Sequence, residues 1–280
     1  MSAPDFVAIG HLTLDRFGDT PRPGGAALYA AVAAERLGLS AGILTSYGND
    51  FPLERVPSRI EVVGVPPAAA TTTFQHLDVP GGRALRVGSV AAPLTTSDVP
   101  EDWRDASLVL LAPVLDEVDP LLAAVFTEGA VGAAAQGWLR GVGPDRLVGS
   151  RPWTPPPGLL GRLQALFLSA EDVRGQEPFV TEWVQHVPIA VVTAGKAGAL
   201  LFVNGERYEI RPRPAREVDA TGAGDVFAAT FLMAYRRDGD PWKAADAATC
   251  AAALSVEGEG WSGVPDMPAL RAALAARQDL

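Results

Sequence analysis

The segment 218–225 constrains this chain more than any other stretch, because it places two glycines and two alanines just before a long apolar run. It reads Val-Asp-Ala-Thr-Gly-Ala-Gly-Asp, and the apolar run spans 226–235. Small residues at the start of a helix leave several amide N–H groups pointing at one place, with the positive end of the helix dipole behind them. Such a place favours an anion, typically a phosphate. The pattern predicts a helix from residue 223 and an anion site at Gly222, Ala223 and Gly224.

Asp225 is out of place in a site that only binds phosphate, because a carboxylate repels an anionic ligand. It makes sense if the carboxylate accepts a proton from a hydroxyl group that then attacks the phosphorus atom. We therefore interpret Asp225 as a candidate general base. The alternative is a plain Gly-rich turn in which this Asp caps the helix.

The order of predicted elements indicates an α/β fold with a doubly wound, mainly parallel sheet flanked by helices. The Pro-Gly-Gly turn signal at 80–82, between two β-prone runs, predicts a hairpin at about 70–90. We expect one domain over residues 1–280, because the Pro-rich stretch 152–158 is too short to separate two domains. The main predicted strands are 6–9, 41–45, 60–65, 108–111, 131–135, 165–169, 189–193, 200–203 and 206–210, and the predicted helices are 26–37, 119–126, 178–186, 223–236, 241–256 and 268–277.

Composition narrows the classes of partner. The net charge is −10 and there is no basic block, which argues against nucleic acid and anionic membranes as partners. No apolar run approaches the roughly 18 residues that span a bilayer, and the N-terminus shows no signal-peptide pattern, so we expect a cytoplasmic protein. The single cysteine, Cys250, rules out a disulfide framework and is expected to be a small buried side chain.

Two motifs carry a resemblance to a known family. The segment 219–225 resembles the C-terminal signature of the ribokinase (PfkB) family of carbohydrate kinases, and the segment 24–31 resembles its N-terminal Gly-Gly signature. The resemblance extends over nearly the whole chain. It implies a ribokinase-like fold in which the hairpin belongs to a small β lid. It also implies an enzyme that transfers phosphate from ATP to an alcohol group, with the lid excluding competing water.

Asp15 follows the first predicted strand, near an edge of the sheet where the ligands of open parallel sheets collect. The resemblance implies that Asp15 and the backbone of Gly24 and Gly25 bind substrate hydroxyl groups. Family members usually carry Asn where this chain has Tyr29, which argues against ribose or fructose in particular. The alternative for Asp15 is a turn residue that caps local N–H groups.

Three segments, 10–15, 24–27 and 134–140, resemble the inositol-kinase branch of the family. This resemblance implies a cyclic polyol as the phosphate acceptor and a role in its pocket for Gln136 or Arg140. The alternatives are a strand-end hydrogen bond for Gln136 and a surface salt bridge for Arg140.

The segment 193–198, Thr-Ala-Gly-Lys-Ala-Gly, follows a predicted strand and is not a P-loop, because Gly-x-x-x-x-Gly-Lys-Ser/Thr is absent from the chain. It resembles the Thr-x-Gly-x-x-Gly run that lines ATP in ribokinase-like proteins. A plain turn is the alternative. The residues that we assign to ATP are Thr193, Gly195, Lys196, Gly198, Ser169 and Thr221.

Ser169 and Asp172 stand where the family shows Asn-x-x-Glu, a motif whose acidic residue organises Mg²⁺. Mg²⁺ keeps several waters and needs only one or two carboxylates, so the shorter Asp172 could serve. Glu171 is an alternative ligand. The simpler alternative for both Asp172 and Glu171 is that they are acidic residues at a helix N-terminus, where they interact favourably with the helix dipole. Asp219 is the expected side chain of a monovalent-cation (K⁺) site near 256–261.

Two other functions are left open. The chain is either a ribose, fructose or nucleoside kinase rather than a polyol kinase, or a catalytically silent relative that binds a sugar or nucleotide. The altered positions Tyr29, Ser169 and Asp172 favour the silent relative, and the retained Asp225 argues against it. A Rossmann dehydrogenase is excluded by the lack of Gly-x-Gly-x-x-Gly after the first strand. The sequence leaves open whether the chain forms a homodimer.

Overall fold

The computed structural model describes residues 3–18, 20–65, 68–79 and 82–278. The strands are β1 (Phe6–Ile9), β2 (Thr13–Phe17), β3 (Thr20–Gly24), β4 (Ala41–Thr45), β5 (Ile60–Gly64), β6 (Thr72–Val79), β7 (Gly82–Val87), β8 (Leu108–Leu111), β9 (Ala130–Ala134), β10 (Arg140–Val142), β11 (Val148–Ser150), β12 (Ala165–Ser169), β13 (Ile189–Thr193), β14 (Ala199–Val203) and β15 (Glu206–Ile210). The α-helices are α1 (Ala26–Arg36), α2 (Leu159–Arg162), α3 (Glu177–Trp183), α4 (Ala223–Asp238), α5 (Pro241–Ser255) and α6 (Met267–Gln278).

The main sheet has nine strands in the order β15-β14-β13-β12-β9-β8-β1-β4-β5. Seven of them, from β13 to β5, pair in parallel, and β14 and β15 add an antiparallel edge. This arrangement confirms the predicted α/β fold with a mainly parallel sheet. The strand order reverses between β1 and its neighbours β4 and β8, and ligand sites of open α/β sheets lie at such a switch point.

Both faces of the sheet are covered, which explains why its central strands are apolar along their whole length. In β1 the alternate residues Phe6 and Ala8 join a buried cluster with α1, α4 and α5. Val7 and Ile9 point to a second cluster on the other face, which includes Trp103, Trp138 and side chains of α2 and α3. No helix among the described residues has the length and apolar character needed to cross a membrane.

A second sheet of four strands, in the order β3-β2-β6-β7, carries Asp15. Strands β6 and β7 pair antiparallel and form the predicted hairpin, whose turn residues Pro80 and Gly81 lie outside the described residues. Strands β2 and β3 are absent from the sequence prediction, and Asp15 lies inside β2 rather than in a turn. That this sheet closes over a substrate, and that the chain forms one domain, stay predictions.

One predicted helix differs in type. Residues 120–124 form a short 3₁₀ helix rather than an α-helix to 126. Its predicted start is correct, because Asp119 accepts a hydrogen bond from the amide of Leu121 at 2.9 Å and Pro120 opens the turn. The sequence prediction also lacks the β10–β11 hairpin and α2.

Candidate active site

The start of α4 forms a nest of backbone amides. Gly222, the residue before the helix, is left-handed with φ 76°. The Ala223 amide donates to Ala220 at 3.3 Å, whereas the amides of Gly222 and Gly224 donate to no residue in the described part of the chain. A Cβ on Gly222 would come within 2.1 Å of the Tyr29 ring, so glycine is needed there for both conformation and space. Two free amides at the positive end of a 16-residue helix can bind an anion.

Asp225 lies in the first turn of α4 and is only 9% exposed. Gln136 donates a hydrogen bond from Nε2 to Oδ1 of Asp225 at 3.2 Å. Burial raises the pKa of Asp225 to about 7, while the charge of Arg140 lowers it and that of Asp172 raises it. The nest therefore has a proton acceptor beside it that changes its charge near neutral pH.

Arg140 and Asp172 form an ion pair beside this carboxyl. Nε of Arg140 donates to Oδ1 of Asp172 at 3.1 Å, and both side chains are largely buried. Burial raises the pKa of Asp172, and Arg140 opposes this shift. Arg140 was expected in the acceptor pocket and Asp172 at Mg²⁺, and the structure brings the two together next to Asp225.

Glu171, the alternative metal ligand, is exposed, and its amide donates to Oγ of Ser169 at 3.1 Å. Across the described residues, no group of three His, Cys, Asp or Glu side chains is arranged to hold a metal ion. A Mg²⁺ ion that reaches this site with phosphates and water needs only one or two of the carboxylates. The residues present are therefore compatible with Mg²⁺ that is held mainly by a nucleotide.

On the other side of the nest, Asp15 is 8% exposed and accepts a hydrogen bond from Oγ1 of Thr13 at 3.2 Å. Burial raises its pKa to about 6, Thr13 lowers it and Asp219 raises it. A Cβ on Gly24 would lie 2.3 Å from Oδ2 of Asp15, and one on Gly25, whose φ is 107°, would lie 2.3 Å from the carbonyl oxygen of His11. Gly24 thus brings bare backbone directly against the carboxylate, and Gly25 packs against the backbone of His11.

Tyr29 lies close enough to both carboxyl groups for their charges to act on it. Its side chain is 4% exposed, its ring covers Gly222 and it meets the edge of Trp261 at 6.4 Å between ring centroids. Burial, followed by the charges of Asp219, Asp15 and Asp225, raises the pKa of Tyr29, so it stays a neutral phenol that can donate a hydrogen bond.

Asp15 and Tyr29 border a cavity of about 380 Å³. Its lining includes three aromatic side chains and several charged ones: Phe17, Tyr29, Trp261, Arg22, Asp219 and Glu259. Arg22 and Glu259 form a 2.6 Å ion pair that joins β3 to the loop after α5. Phe17 and Arg22 were missed in the sequence analysis, and Trp261 was expected only within the stretch near the K⁺ site, because residues from β2, β3 and a loop near the C-terminus meet here only in the folded chain.

A second cavity, of about 420 Å³, lies on the opposite side of the nest. It is bordered by 193–199, by 212–215, by Ala223 and Gly224, and by the end of α5. Four of the residues assigned to ATP line it: Thr193, Gly195, Lys196 and Gly198. Ser169 is not among its lining residues, and Thr221 borders the cavity at Asp15 instead. Small apolar side chains dominate its inner wall, which suits a flat base.

Asp219 holds two loops together. Its Oδ1 accepts from the amide of Thr221 and its Oδ2 from the amide of Gly260, both at 3.0 Å. Although burial acts to raise it, these hydrogen bonds and the charge of Arg22 keep the pKa of Asp219 below its usual value. A K⁺ ion would have to share these oxygens with the amides, and the K⁺ site stays a prediction.

Sequence comparison places this chain among kinases. Residues 168–267 match the family model described as pfkB family carbohydrate kinase. A cytidine kinase of Thermococcus kodakarensis is 28% identical over 252 residues, which cover 83% of this chain and 89% of that protein. An inositol 3-kinase of Oryza sativa subsp. japonica is 30% identical over 228 residues, 74% of this chain, but the match spans only 56% of the rice protein.

Solved structures share the fold over almost the whole chain. A pyrophosphate-dependent kinase of the ribokinase family superposes with a TM-score of 0.79 at 21% identity, covering 96% of this chain and 99% of that one. The ribokinase of Thermotoga maritima superposes with a TM-score of 0.74 at 20% identity, again over 96% and 99%. At such identities the likeness establishes the ribokinase-like fold alone.

Proposed function

Because residues 168–267 match the pfkB family carbohydrate kinase model and the similar proteins are kinases, we propose that the chain transfers the γ-phosphate of ATP to a hydroxyl group of a small cyclic polyol or sugar. One observation carries the proposal. The buried carboxyl of Asp225 directly follows two amides, of Gly222 and Gly224, that have no partner within the described residues. An anion site beside a proton acceptor is what transfer of phosphate to an alcohol requires.

In this proposal Asp225 accepts the proton of the attacking hydroxyl group. With a pKa of about 7, the carboxyl is roughly half ionised at neutral pH. A large fraction of the enzyme therefore carries the base in its active form, and this base binds a proton more strongly than an ordinary carboxylate does. Gln136 occupies Oδ1 through its 3.2 Å hydrogen bond, which leaves Oδ2 for the acceptor hydroxyl.

The free amides of the nest stabilise the negative charge that develops on the transferred group, and the dipole of α4 adds to their effect. Arg140 supplies a positive charge close to Asp225, and its 3.1 Å ion pair with Asp172 fixes its position. Asp172 or Glu171 would hold a Mg²⁺ ion that arrives with the nucleotide, and the ion would neutralise charge on the phosphates.

The acceptor is held from the other side. Asp15 accepts hydrogen bonds from acceptor hydroxyl groups, and its carboxylate packs against the bare backbone of Gly24. The backbone of Gly24 and Gly25 is assigned to the acceptor as well. The resemblance to inositol kinases in sequence supports a polyol at this place. The β2–β3–β6–β7 sheet, which carries Asp15, closes over the acceptor and keeps water away from the phosphate.

The cavity of about 420 Å³ supports ATP as the donor. Pyrophosphate, the donor of one structural neighbour, has no apolar part and would leave this cavity unused. We expect kcat/KM to be at least tenfold higher with ATP than with pyrophosphate. Equal or better activity with pyrophosphate would contradict this assignment of the cavity.

The proposal is tested by a coupled assay of ATP consumption with a panel of inositols, sugars and nucleosides. We expect turnover with at least one acceptor, and we expect Asp225→Asn to reduce kcat at least about 10²-fold, the usual scale for loss of a general base. ATP binding, measured by calorimetry, should change little. Asp246→Asn is the matched control, because Asp246 lies in α5 and pairs with Arg277 at 3.0 Å. ATP binding without turnover of any acceptor would instead identify a catalytically silent relative.

A nucleoside is the second candidate acceptor, for a specific reason. The cavity at Asp15 has three aromatic side chains, Phe17, Tyr29 and Trp261, and aromatic rings stack on bases. The cytidine kinase of T. kodakarensis is similar over 89% of its length, which supports the same candidate. If a nucleoside is the acceptor, Trp261→Ala should raise its KM at least tenfold and leave that of ATP unchanged. A polyol acceptor should be affected much less.

A further inference from the structure

A third cavity, of about 430 Å³, lies at the end of the sheet opposite the candidate active site. Asp5 and Ser107, which precede β1 and β8, border it, together with the second half of α4 and with α6. The amide nest is at the other end of α4. Neither the proposed phosphate transfer nor the acceptor pocket therefore uses this cavity.

The cavity has apolar walls, and three arginines lie on its border together with Asp5, whose carboxylate accepts hydrogen bonds from Ser40. Arg236 and Arg271 lie on the border, are exposed, and form no ion pair or hydrogen bond with any described residue. Arg237, also on the border, pairs with the neighbouring Asp238 at 2.7 Å. In a chain with a net charge of −10, two unpaired guanidinium groups beside an apolar cavity indicate an anionic ligand group. The walls include Leu37, Leu108, Met233, Met267, Leu270 and Leu274.

Thr230 gives an independent sign of a ligand. It lines the cavity, is 2% exposed, and its buried hydroxyl has no hydrogen-bond partner within the described structure. Thr249 in α5 shows the usual arrangement, with its hydroxyl donating to the carbonyl of Ala245 one turn back at 2.8 Å. Buried hydroxyl groups are seldom left unpaired, and an absent water or ligand is a standard reason.

The spacing along α4 gives the shape of this ligand. Thr230, Met233 and Arg237 are three and then four residues apart, so they lie in one stripe of the helix. Thr230 and Arg237 are seven residues apart, which corresponds to roughly 10 Å along the axis. The hydroxyl of Thr230 at one end of the stripe and the guanidinium group of Arg237 at the other are thus separated by the apolar side chain of Met233.

We propose that this cavity binds an amphipathic anion. Its body is an apolar chain about 10 Å long. A carboxylate or phosphate at one end contacts Arg236 and Arg271, which border the cavity together with Arg237, and a hydrogen-bonding group at the other end meets the hydroxyl of Thr230.

The test is calorimetric titration of the whole protein, with and without saturating ATP, with ω-hydroxyoctanoate, octanoate and octyl phosphate. We expect octanoate or octyl phosphate, or both, to bind with a Kd below millimolar. We expect ω-hydroxyoctanoate to bind more tightly than octanoate, and ATP to leave these affinities unchanged. The comparison of octanoate with octyl phosphate distinguishes a carboxylate from a phosphate ligand. Binding that ATP abolishes, or no binding of any probe, would overturn the proposal.

Two variants locate the ends of the ligand. The double variant Arg236→Gln with Arg271→Gln should weaken binding at least tenfold, whereas Arg207→Gln, an exposed arginine of β15 paired with Glu209, should not. Thr230→Val keeps the side-chain volume, so we expect ω-hydroxyoctanoate to bind it no better than octanoate. Without ligand, Thr230→Val should raise Tm by a few degrees, because an unpaired buried hydroxyl is removed. Affinities that neither change alters would refute the site.

Discussion

Replacing Asp225 with Asn is expected to stabilise the protein at alkaline pH while it removes most of the activity. The pKa of Asp225 rises from 3.8 to about 7 because burial disfavours the charged form. A carboxyl group with a higher pKa in the folded protein binds its proton more tightly there than in the unfolded chain. The free energy of unfolding therefore falls as the pH rises from about 4, and it levels off above about 7.

The size of the effect follows from the same shift. One pKa unit corresponds to about 1.4 kcal/mol, and the shift from 3.8 to about 7 spans about three units, so the charge costs about 4 kcal/mol at pH 8 as an upper value. Asn has nearly the same shape, carries no charge, and can still accept the hydrogen bond from Gln136. We expect Asp225→Asn to exceed the wild type in free energy of unfolding by about 2–4 kcal/mol at pH 8, and by about 1 kcal/mol or less at pH 4.5.

The assay is urea unfolding of the wild type and of Asp225→Asn at both pH values. Asp246→Asn is the control, because Asp246 is about half exposed and its pairing with Arg277 gives no reason for a gain that grows with pH. If Asp225→Asn is no more stable than the wild type at pH 8, or if its gain in stability does not depend on pH, the pKa of Asp225 is not raised by burial as described.

Three further replacements test the surroundings of this carboxyl. Gly222→Ala should destabilise the protein by about 2–4 kcal/mol and reduce kcat at least tenfold, because its φ is 76° and its Cβ would lie 2.1 Å from the Tyr29 ring. Gly224→Ala has open space and should change stability by less than about 1 kcal/mol, so equal effects of the two in unfolding experiments would contradict the packing argument. Asp15→Asn should raise the acceptor KM at least tenfold and leave the KM of ATP unchanged in steady-state kinetics. Because the pKa of Asp15 is about 6, the wild-type acceptor KM should fall as the pH rises through 6, and a flat profile would exclude this role.

The sequence predicted best those parts of the fold that are buried on both sides. Strands Phe6–Ile9, Leu108–Leu111 and Ala165–Ser169 have the predicted bounds, because a continuous apolar run between turn residues leaves few alternatives. Strands β2 and β3 were missed because neither is a continuous apolar run, because β3 carries two prolines, and because both pair only in the small second sheet. Their structure depends on tertiary pairing rather than on a local pattern.

The candidate site was predicted in its local part and not in its long-range part. The amide nest and Asp225 belong to one continuous segment, so its glycines and the start of the helix could be predicted from the sequence alone. The ion pair between Arg140 and Asp172 joins residues 32 positions apart, and no local pattern specifies it. Tyr29 was noted only as a departure from the family, whereas its packing against Gly222 depends on how α1 and α4 meet.

The pH dependence of kcat/KM for the acceptor, measured for the wild type and for the residual activity of Asp225→Asn, tests most directly whether Asp225 is the general base. If Asp225 takes the proton from the acceptor, kcat/KM of the wild type rises with pH and levels off with an apparent pKa of about 7. The variant should not show this rise. A limb at the same pKa in Asp225→Asn, or a variant with most of its turnover retained, would show that another group takes the proton.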